Sequence, residues 1–340
     1  MKEAMLYERL EGTDVRCRLC AHRCLIKDGT RGVCLVRENR GGTLYTYSYG
    51  KSISHGIDPV EKKPLFHFQP GSATFSIATA GCNFHCRFCQ NWQISQVLRD
   101  GGSIRGQDLP PERIVDLAVQ SGCGSISYTY TEPTIFFEYA YDTGRLAHQA
   151  GLKNILVTNG YMTAEALETV RPYLDAANVD LKSFDDEFYR KLAGARLQPV
   201  LDTLKLMRKL GVWIEVTTLV IPGWNDTEVL FRQIASFIAE ELGVDTPWHI
   251  SRFHPMYDMS DVPPTPASSL HQARRIGLEA GLRYVYEGNV PGSDGENTYC
   301  YNCGVVLVRR FGHRLVENKV SSGACYNCGA AIVGVDIGAL

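Results

Sequence analysis

The sequence predicts an α/β fold in which a parallel sheet curls into an open or closed (βα) barrel, and three observations carry that prediction. Short β-branched or alternating runs recur along the chain, and helical patterns lie between them. Polar residues gather where each strand should end. About six strand–helix units in about 220 residues suit a barrel better than a sandwich.

The strand-like runs are 73–79 (ATFSIAT), 125–131 (SISYTYT), 154–158 (NILVT), 177–181 (ANVDL), 213–220 (WIEVTTLV), 248–252 (WHISR) and 284–287 (YVYE). Between them, PPERIVDLAVQSG has prolines at its start and Gly122 at its end. PTIFFEYAYDTGRLAHQAG, TAEALETVRPYL, LQPVLDTLKLMRKLG and SLHQARRIGLEAG are also helical in pattern. Asp226 is the expected cap of TEVLFRQIASFIAEELG, which stops at Gly243. The polar groups at the strand ends are Thr131-Glu132, Thr158-Asn159-Gly160, Asp180 with Lys182, and His249 through Arg252 to His254. In βα barrels the C-terminal ends of the strands form the mouth of the active site. Four such groups at corresponding positions predict a site rather than ordinary turns.

Composition narrows the class. A chain of 340 residues buries enough surface to fold without disulfides. With 44% hydrophobic and 21% charged residues it is an ordinary globular chain, and its formal charge of −2 gives no basic footprint for nucleic acid or anionic lipid. The start, MKEAMLYERLEG, lacks the apolar core of a signal peptide, and no long apolar run follows, which predicts a cytoplasmic protein with no membrane partner. Twelve cysteines are the anomaly. In a reducing compartment they read as metal ligands or catalysts first.

Eleven of the twelve fall into three clusters: Cys17, Cys20, Cys24 and Cys34; Cys82, Cys86 and Cys89; and Cys300, Cys303, Cys325 and Cys328. Cys123, alone in SGCGSISY, reads as a small buried hydrophobe. The middle cluster is C-x3-C-x2-C in TAGCNFHCRFCQNWQIS, directly after the first barrel strand. Three thiolates hold three irons of a 4Fe–4S cluster and leave one iron open to a chelator such as an amino acid. A zinc site borrowing His85 is the weaker alternative, because this is not a usual zinc spacing. The C-terminal cluster is two C-x2-C-G knuckles within the repeat Cys-Tyr-Asn-Cys-Gly, which predicts one tetrahedral metal, usually structural zinc, with rubredoxin-type iron as the alternative. A module of about forty residues draws much of its stability from such a metal. The N-terminal C-x2-C-x3-C-x9-C predicts one metal centre, either zinc or a second Fe–S cluster, with His22 as an alternative ligand. Its spacing does not choose between them.

C-x3-C-x2-C with an aromatic, Phe88, before the last cysteine resembles the radical S-adenosylmethionine (radical SAM) superfamily. EKKPLFHFQPGS, GCNFHCRFCQNWQIS, YTYTEPT, VTNGYM, VDLKSF, HISRFHPMY and GNVPGSDGENTYCYNCG together resemble the AmmeMemoRadiSam system radical SAM proteins, which are similar to pyruvate formate-lyase activating enzymes. The resemblance implies a partial (βα)6 barrel at 69–292, an N-terminal four-cysteine segment at 1–68 and a C-terminal zinc-ribbon-like module at 293–340.

It also implies chemistry and roles. Cys82, Cys86 and Cys89 would ligate a 4Fe–4S cluster, and S-adenosylmethionine (SAM) would fill the open iron. One electron from a donor such as flavodoxin or ferredoxin would give methionine and a 5′-deoxyadenosyl radical that abstracts hydrogen from substrate. The family's Gly-Gly-Glu is Tyr130-Thr131-Glu132 here, so Glu132 would accept the methionyl amine while the glycines are missing. Lys182 of Asp180-Leu181-Lys182 would pair with the SAM carboxylate. Thr158 and Asn159 match a Thr-Asn pair, but Val157 replaces the preceding Asp of the activating enzymes. His249 falls where those enzymes place a histidine near SAM, whereas His67 and His254 read as structural. Two substrate classes follow from the resemblance: a glycine of a large partner protein, or a small molecule, the latter favoured by the family's association with Memo-type and AmmeCR-type partners. The reading from another class is a non-catalytic metal protein, either a zinc ribbon binding a partner or nucleic acid, or an electron carrier.

Overall fold

The structure, a computed structural model, describes residues 1–290 and 292–338. Its centre is an eight-stranded sheet. The strands are β1 (Ser54–Pro59), β2 (Ala73–Ala78), β3 (Ser125–Tyr128), β4 (Lys153–Thr158), β5 (Ala176–Asp180), β6 (Trp213–Val220), β7 (Trp248–Arg252) and β8 (Val285–Gly288). They lie side by side in chain order, from β8 at one edge to β1 at the other. β2 to β8 are parallel, and β1 pairs antiparallel with β2. This is the α/β architecture with a parallel sheet that the strand–helix alternation predicts.

Each parallel crossover after β2 carries a helix, the main ones being α1 (Pro111–Gln120), α2 (Phe137–Gln149), α3 (Ala164–Val170), α4 (Gln198–Lys209), α5 (Glu228–Phe237) and α6 (Ala267–Glu279). α1 starts with proline at its first position, where the missing N–H costs nothing. α5 is capped by Thr227 and not by Asp226. Thr227 has the extended backbone of a cap and its hydroxyl accepts from Leu230 N, while Asp226 turns back to accept from Gly223 N at 2.8 Å. The apolar faces of the helices close over a core that includes Ile77, Ile126, Leu156, Val179, Val216 and Ile250.

Sequence reading missed β1. SHGIDP lacks strict alternation and ends in proline, so only its long-range pairing with β2 makes it a strand. Upstream, short antiparallel strands carry the first cysteines: Tyr7–Arg9, Val15–Cys17 and Leu25–Ile26 form one sheet, and Lys2–Glu3, Thr43–Thr46 and Arg37–Arg40 another. Downstream, Val306–Phe311 and Arg314–Asn318 form the hairpin between the two C-terminal knuckles.

A buried polar network seats the C-terminal hairpin on the sheet. Glu215, in mid-β6, accepts from Phe66 N (2.9 Å), His67 N (2.8 Å), Trp213 Nε1 (3.1 Å) and His249 Nε2 (2.6 Å). Burial works against its charge, but His249, His67 and the Phe66 amide together outweigh it and hold the carboxyl below its ordinary range. Arg310 reaches in from the hairpin and donates to Phe66 O (2.8 Å) and Thr298 Oγ1 (2.9 Å). His67 Nδ1 donates to the Val333 carbonyl (2.8 Å), so its Nε2 accepts the Tyr286 hydroxyl (2.6 Å) and the ring is neutral.

Burial pushes the pKa of His67 down from 6.5 to about 4, against a raising pull from Glu215. The unfolded chain therefore binds a proton that the folded chain refuses between those values. Stability from this group is complete above about pH 6.5 and is lost as pH falls toward 4. Thermal melts across that window are expected to fall in Tm, with a shallower slope in His67→Phe even though that variant is less stable overall.

Candidate active site

The C-terminal ends of the parallel strands open into one cavity of about 480 Å3, a size suited to a cofactor and a small ligand. Cys82, Cys86, Phe88, Cys89, Thr158, Asn159, Asp180 and Lys182 all line it, so residues spread over a hundred positions converge. Two of the singled-out residues do not reach it. His249 shares the sheet face of Asp180 and Thr217 but does not line the cavity; it is buried, bonded to Glu215 and stacked on Tyr286. Glu132 is fully buried beneath the cavity floor.

The loop after β2 is threaded along a helical turn. The amides of His85 and Arg87 donate to the carbonyls of Ala193 (3.0 Å) and Leu192 (2.9 Å), at the end of the turn Tyr189–Ala193. Carbonyls at a helix end lack intrahelical partners and are free to accept. His85 packs against Gly194, where a Cβ would lie 1.7 Å from the imidazole, and the glycine holds φ at 66°. The His85 ring is thus spent on packing and is not among the residues lining the cavity.

Cys82 accepts from Phe84 N (3.3 Å) and from Asn159 Nδ2 (3.5 Å), and Cys89 Sγ lies 3.0 Å from Ser95 Oγ. Burial pushes the Cys82 thiol up, and pushes Cys86 up to about 12 against the lowering charge of Lys182. Such thiols ionise only beside added positive charge, which is what bound iron provides. Their sulfurs do not form a mutual group within 4.8 Å, whereas those of Cys300, Cys303, Cys325 and Cys328 do. The C-terminal spacing suits a single tetrahedral ion, whose 2.3 Å bonds set sulfurs about 3.8 Å apart. The C-terminal pairs Cys300–Cys328 and Cys303–Cys325 stand at 3.6 and 3.8 Å.

Glu132 positions this floor. Its carboxylate accepts from Thr134 N (3.0 Å), Thr158 Oγ1 (2.8 Å) and Asn159 N (2.7 Å). Burial raises its pKa despite these donors. No oxygen faces the cavity to take an amine, so Glu132 ties the ends of β3 and β4 together. Two residues earlier, Tyr130 sits at φ 62°, the left-handed region, where a side chain costs about 1–2 kcal/mol relative to glycine. Asn91 Nδ2 donates to its carbonyl at 2.9 Å and its hydroxyl bonds Asp58, and these two bonds hold the strained conformation.

On the far wall Lys182 Nζ bonds Asp180 Oδ2 at 2.8 Å and lies 5.9 Å from the Phe88 ring centroid. Burial works against the Lys182 charge, but the charge and hydrogen bond of Asp180 together with Cys86 and Tyr189 outweigh it and keep the ammonium charged. The opposite wall holds residues that sequence reading missed. Lys62 and Lys63 bond Asp58 at 2.8 and 2.7 Å. Burial pushes Lys63 down to about 8, against the raising bond from Asp58. The repeated lysines of EKKP, with Asp58 four residues before Lys62, were the available signal, but Tyr130 joins them only because β1 and β3 both flank β2. His313, from the tip of the C-terminal hairpin, completes this wall.

Residues 76–231 match the radical SAM superfamily. The chain is 51% identical over 313 residues to the uncharacterized protein MJ0808 of Methanocaldococcus jannaschii, covering 92% of each. It is 20% identical over 219 residues to the pyruvate formate-lyase 1-activating enzyme of Escherichia coli K12, covering 61% of this chain and 89% of that one. Streptococcus suis SuiB bound to S-adenosylmethionine shares the fold, with a TM-score of 0.51 and 13% identity over 68% of this chain and 53% of that one. A parallel α/β sheet with a three-cysteine loop after its first parallel strand defines the class. The chain belongs to the radical SAM superfamily. No helix among the described residues is long and apolar enough to cross a membrane.

Gly194→Ala is expected to displace His85 and loosen the cysteine loop, at a cost of more than about 1 kcal/mol from the backbone alone. Iron retained per chain after gel filtration should fall well below wild type while the far-UV circular dichroism is unchanged.

Proposed function

We propose that the chain is a radical SAM enzyme of the AmmeMemoRadiSam group acting on a small anionic substrate. The observation that carries the reading is the single cavity that brings the three-cysteine loop opposite the Asp180–Lys182 pair. Cys82, Cys86 and Cys89 would hold a 4Fe–4S cluster. When bound together, such a cluster and SAM supply a 5′-deoxyadenosyl radical that abstracts hydrogen from substrate. Lys182 and Asp180 offer adjacent opposite charges, the complement of an amino acid's carboxylate and ammonium. The Lys182 ammonium also lies over the Phe88 ring, 5.9 Å from its centroid. Thr158 and Asn159, fixed by Glu132, hold the floor in register with Cys82.

The substrate class follows from the opposite wall. Lys62 and Lys63 share one carboxylate, Asp58, which leaves one positive charge in surplus facing the cavity. A carboxylate or phosphate of a small molecule is the complement. His313 at the rim narrows access, which favours a small substrate over a glycine loop of a large partner. The C-terminal cysteines would hold one structural zinc ion that keeps the hairpin bearing His313 in place.

The test is anaerobic. Protein reconstituted with iron and sulfide, then given SAM and a strong reductant, is expected to form 5′-deoxyadenosine, and Cys86→Ala to form none. Anionic metabolites should raise the wild-type rate, with that stimulation lost in Lys63→Met while the basal rate persists. A fully loaded wild type that forms no product under any of these conditions favours a non-catalytic metal protein. Stimulation by neutral compounds alone contradicts the anionic class.

A further inference from the structure

The two C-terminal knuckles repeat more than their cysteines. Residues 300–304 and 325–329 both read Cys-Tyr-Asn-Cys-Gly, and the two copies fold alike. Cys300 N donates to Val305 O and Gly304 N to Cys300 O, each at 2.9 Å. Cys325 N donates to Ala330 O and Gly329 N to Cys325 O, again at 2.9 Å. Gly304 and Gly329 hold φ at 75° and 73°, the left-handed region that lets each turn close. The knuckles are thus equivalent halves, and the short sulfur pairs, Cys300–Cys328 and Cys303–Cys325, run from one half to the other.

Each half shields its sulfurs unequally. Cys300 and Cys325 are buried, whereas Cys328 is exposed and Cys303 partly so. Both of these outer sulfurs meet an amide from the opposite knuckle. Asn302 Nδ2 lies 3.5 Å from Cys328 Sγ, and Asn327 Nδ2 lies 3.5 Å from Cys303 Sγ. A metal-bound thiolate has no proton to give, so the carboxamide presents its donor end. Four thiolates around a divalent ion leave net negative charge on the sulfurs, and hydrogen bonds to a charged acceptor are the stronger kind. Cations stand beside both halves: Arg283 lies over the Tyr301 ring at 4.1 Å and Lys319 over the Tyr326 ring at 5.6 Å.

Asparagine is common in tight turns because its side chain bonds nearby backbone. That role calls for a contact within the same knuckle. Here both side chains cross to the other knuckle, 26 and 24 residues away along the chain. Both asparagines are exposed, so it is the sulfur and not packing that orients them.

We propose that Asn302 and Asn327 are positioning residues of the C-terminal metal site, each guarding the outward thiolate of the opposite knuckle against chelators and electrophiles. This rests on the reading that the four cysteines hold one zinc ion. An N–H donor draws charge from the sulfur and makes it a poorer nucleophile, and each crossing bond straps one knuckle to a ligand of the other. The repeat therefore encodes the ligands and their guards together.

The full chain is tested by metal analysis, by the rate of zinc transfer to a colorimetric chelator, and by iodoacetamide labelling mapped with peptide mass spectrometry. Cys300→Ser with Cys325→Ser should carry about one zinc per chain less than wild type, which identifies the zinc being followed. Asn302→Ala should release that zinc roughly tenfold faster than wild type and label first at Cys328. Asn327→Ala should show the same acceleration and label first at Cys303. Asn302→Asp keeps the size and the turn preference but has no N–H to donate, and it should release zinc at least as fast as Asn302→Ala. Wild-type release and labelling in both alanine variants overturns the proposal while the zinc reading stands, as does labelling that rises instead at the cysteine next to each substituted asparagine. Zinc content unchanged by the loss of Cys300 and Cys325 overturns the zinc reading and the proposal together.

Discussion

A carboxylate without access to water holds the two cysteine cradles at their spacing. Glu132, four residues past β3, caps the turn Pro133–Phe136 through Thr134 and reaches across to Thr158 and Asn159 at the end of β4. Asn159 in turn touches Cys82 and Asn83, and Thr134 lines the N-terminal cavity. Leaving a buried polar group without its hydrogen-bond partners costs about 1–3 kcal/mol, and more where the group is charged. The floor of the active site is therefore rigid for an electrostatic reason, and the mobile chemistry is left to the walls.

Those walls carry opposite kinds of order. On one side the buried Lys182 ammonium keeps its charge beside Asp180, which bonds it at 2.8 Å. On the other, two lysines share Asp58 with the Tyr130 hydroxyl, and the pairing is unequal. Burial works against the charge of Asp58, yet the bonds from Lys62, Lys63 and Tyr130 hold it well below the usual carboxylate range. Tyr130 accepts an unfavourable backbone conformation to join this group, which places local strain at the site and not elsewhere along β3. The buried network around Glu215 and His67 lies away from these charges and fastens the C-terminal hairpin, and with it His313, over the cavity.

The parallel strands were legible because each pairs with its neighbour in chain order and each is bounded by turn residues, so local pattern and topology agree. The three-cysteine loop and Asp180-Leu181-Lys182 were legible because ligand spacing and strand alternation are local properties. Glu132 was singled out as a residue, but its direction was not: Pro133-Thr134 turns the carboxylate back as a cap, a pattern visible in EPT yet outweighed by the expectation of an amine contact. His249 was misplaced for a longer-range reason, since its partner Glu215 sits mid-strand on β6 and only sheet packing joins them. Asp58 and β1 were missed because SHGIDP becomes a strand only against β2. The closeness of the four C-terminal sulfurs, which the hairpin between the knuckles brings about, has no signature in spacing alone.

The central claim is that a cluster held by Cys82, Cys86 and Cys89 meets SAM in the cavity walled by Lys182. It is tested most directly by the EPR spectrum of the reduced, reconstituted protein titrated with SAM. A saturable change in the signal of wild type, weakened at equal SAM in Lys182→Met, is the expected result. A reduced cluster signal that saturating SAM leaves unchanged in wild type would contradict the account.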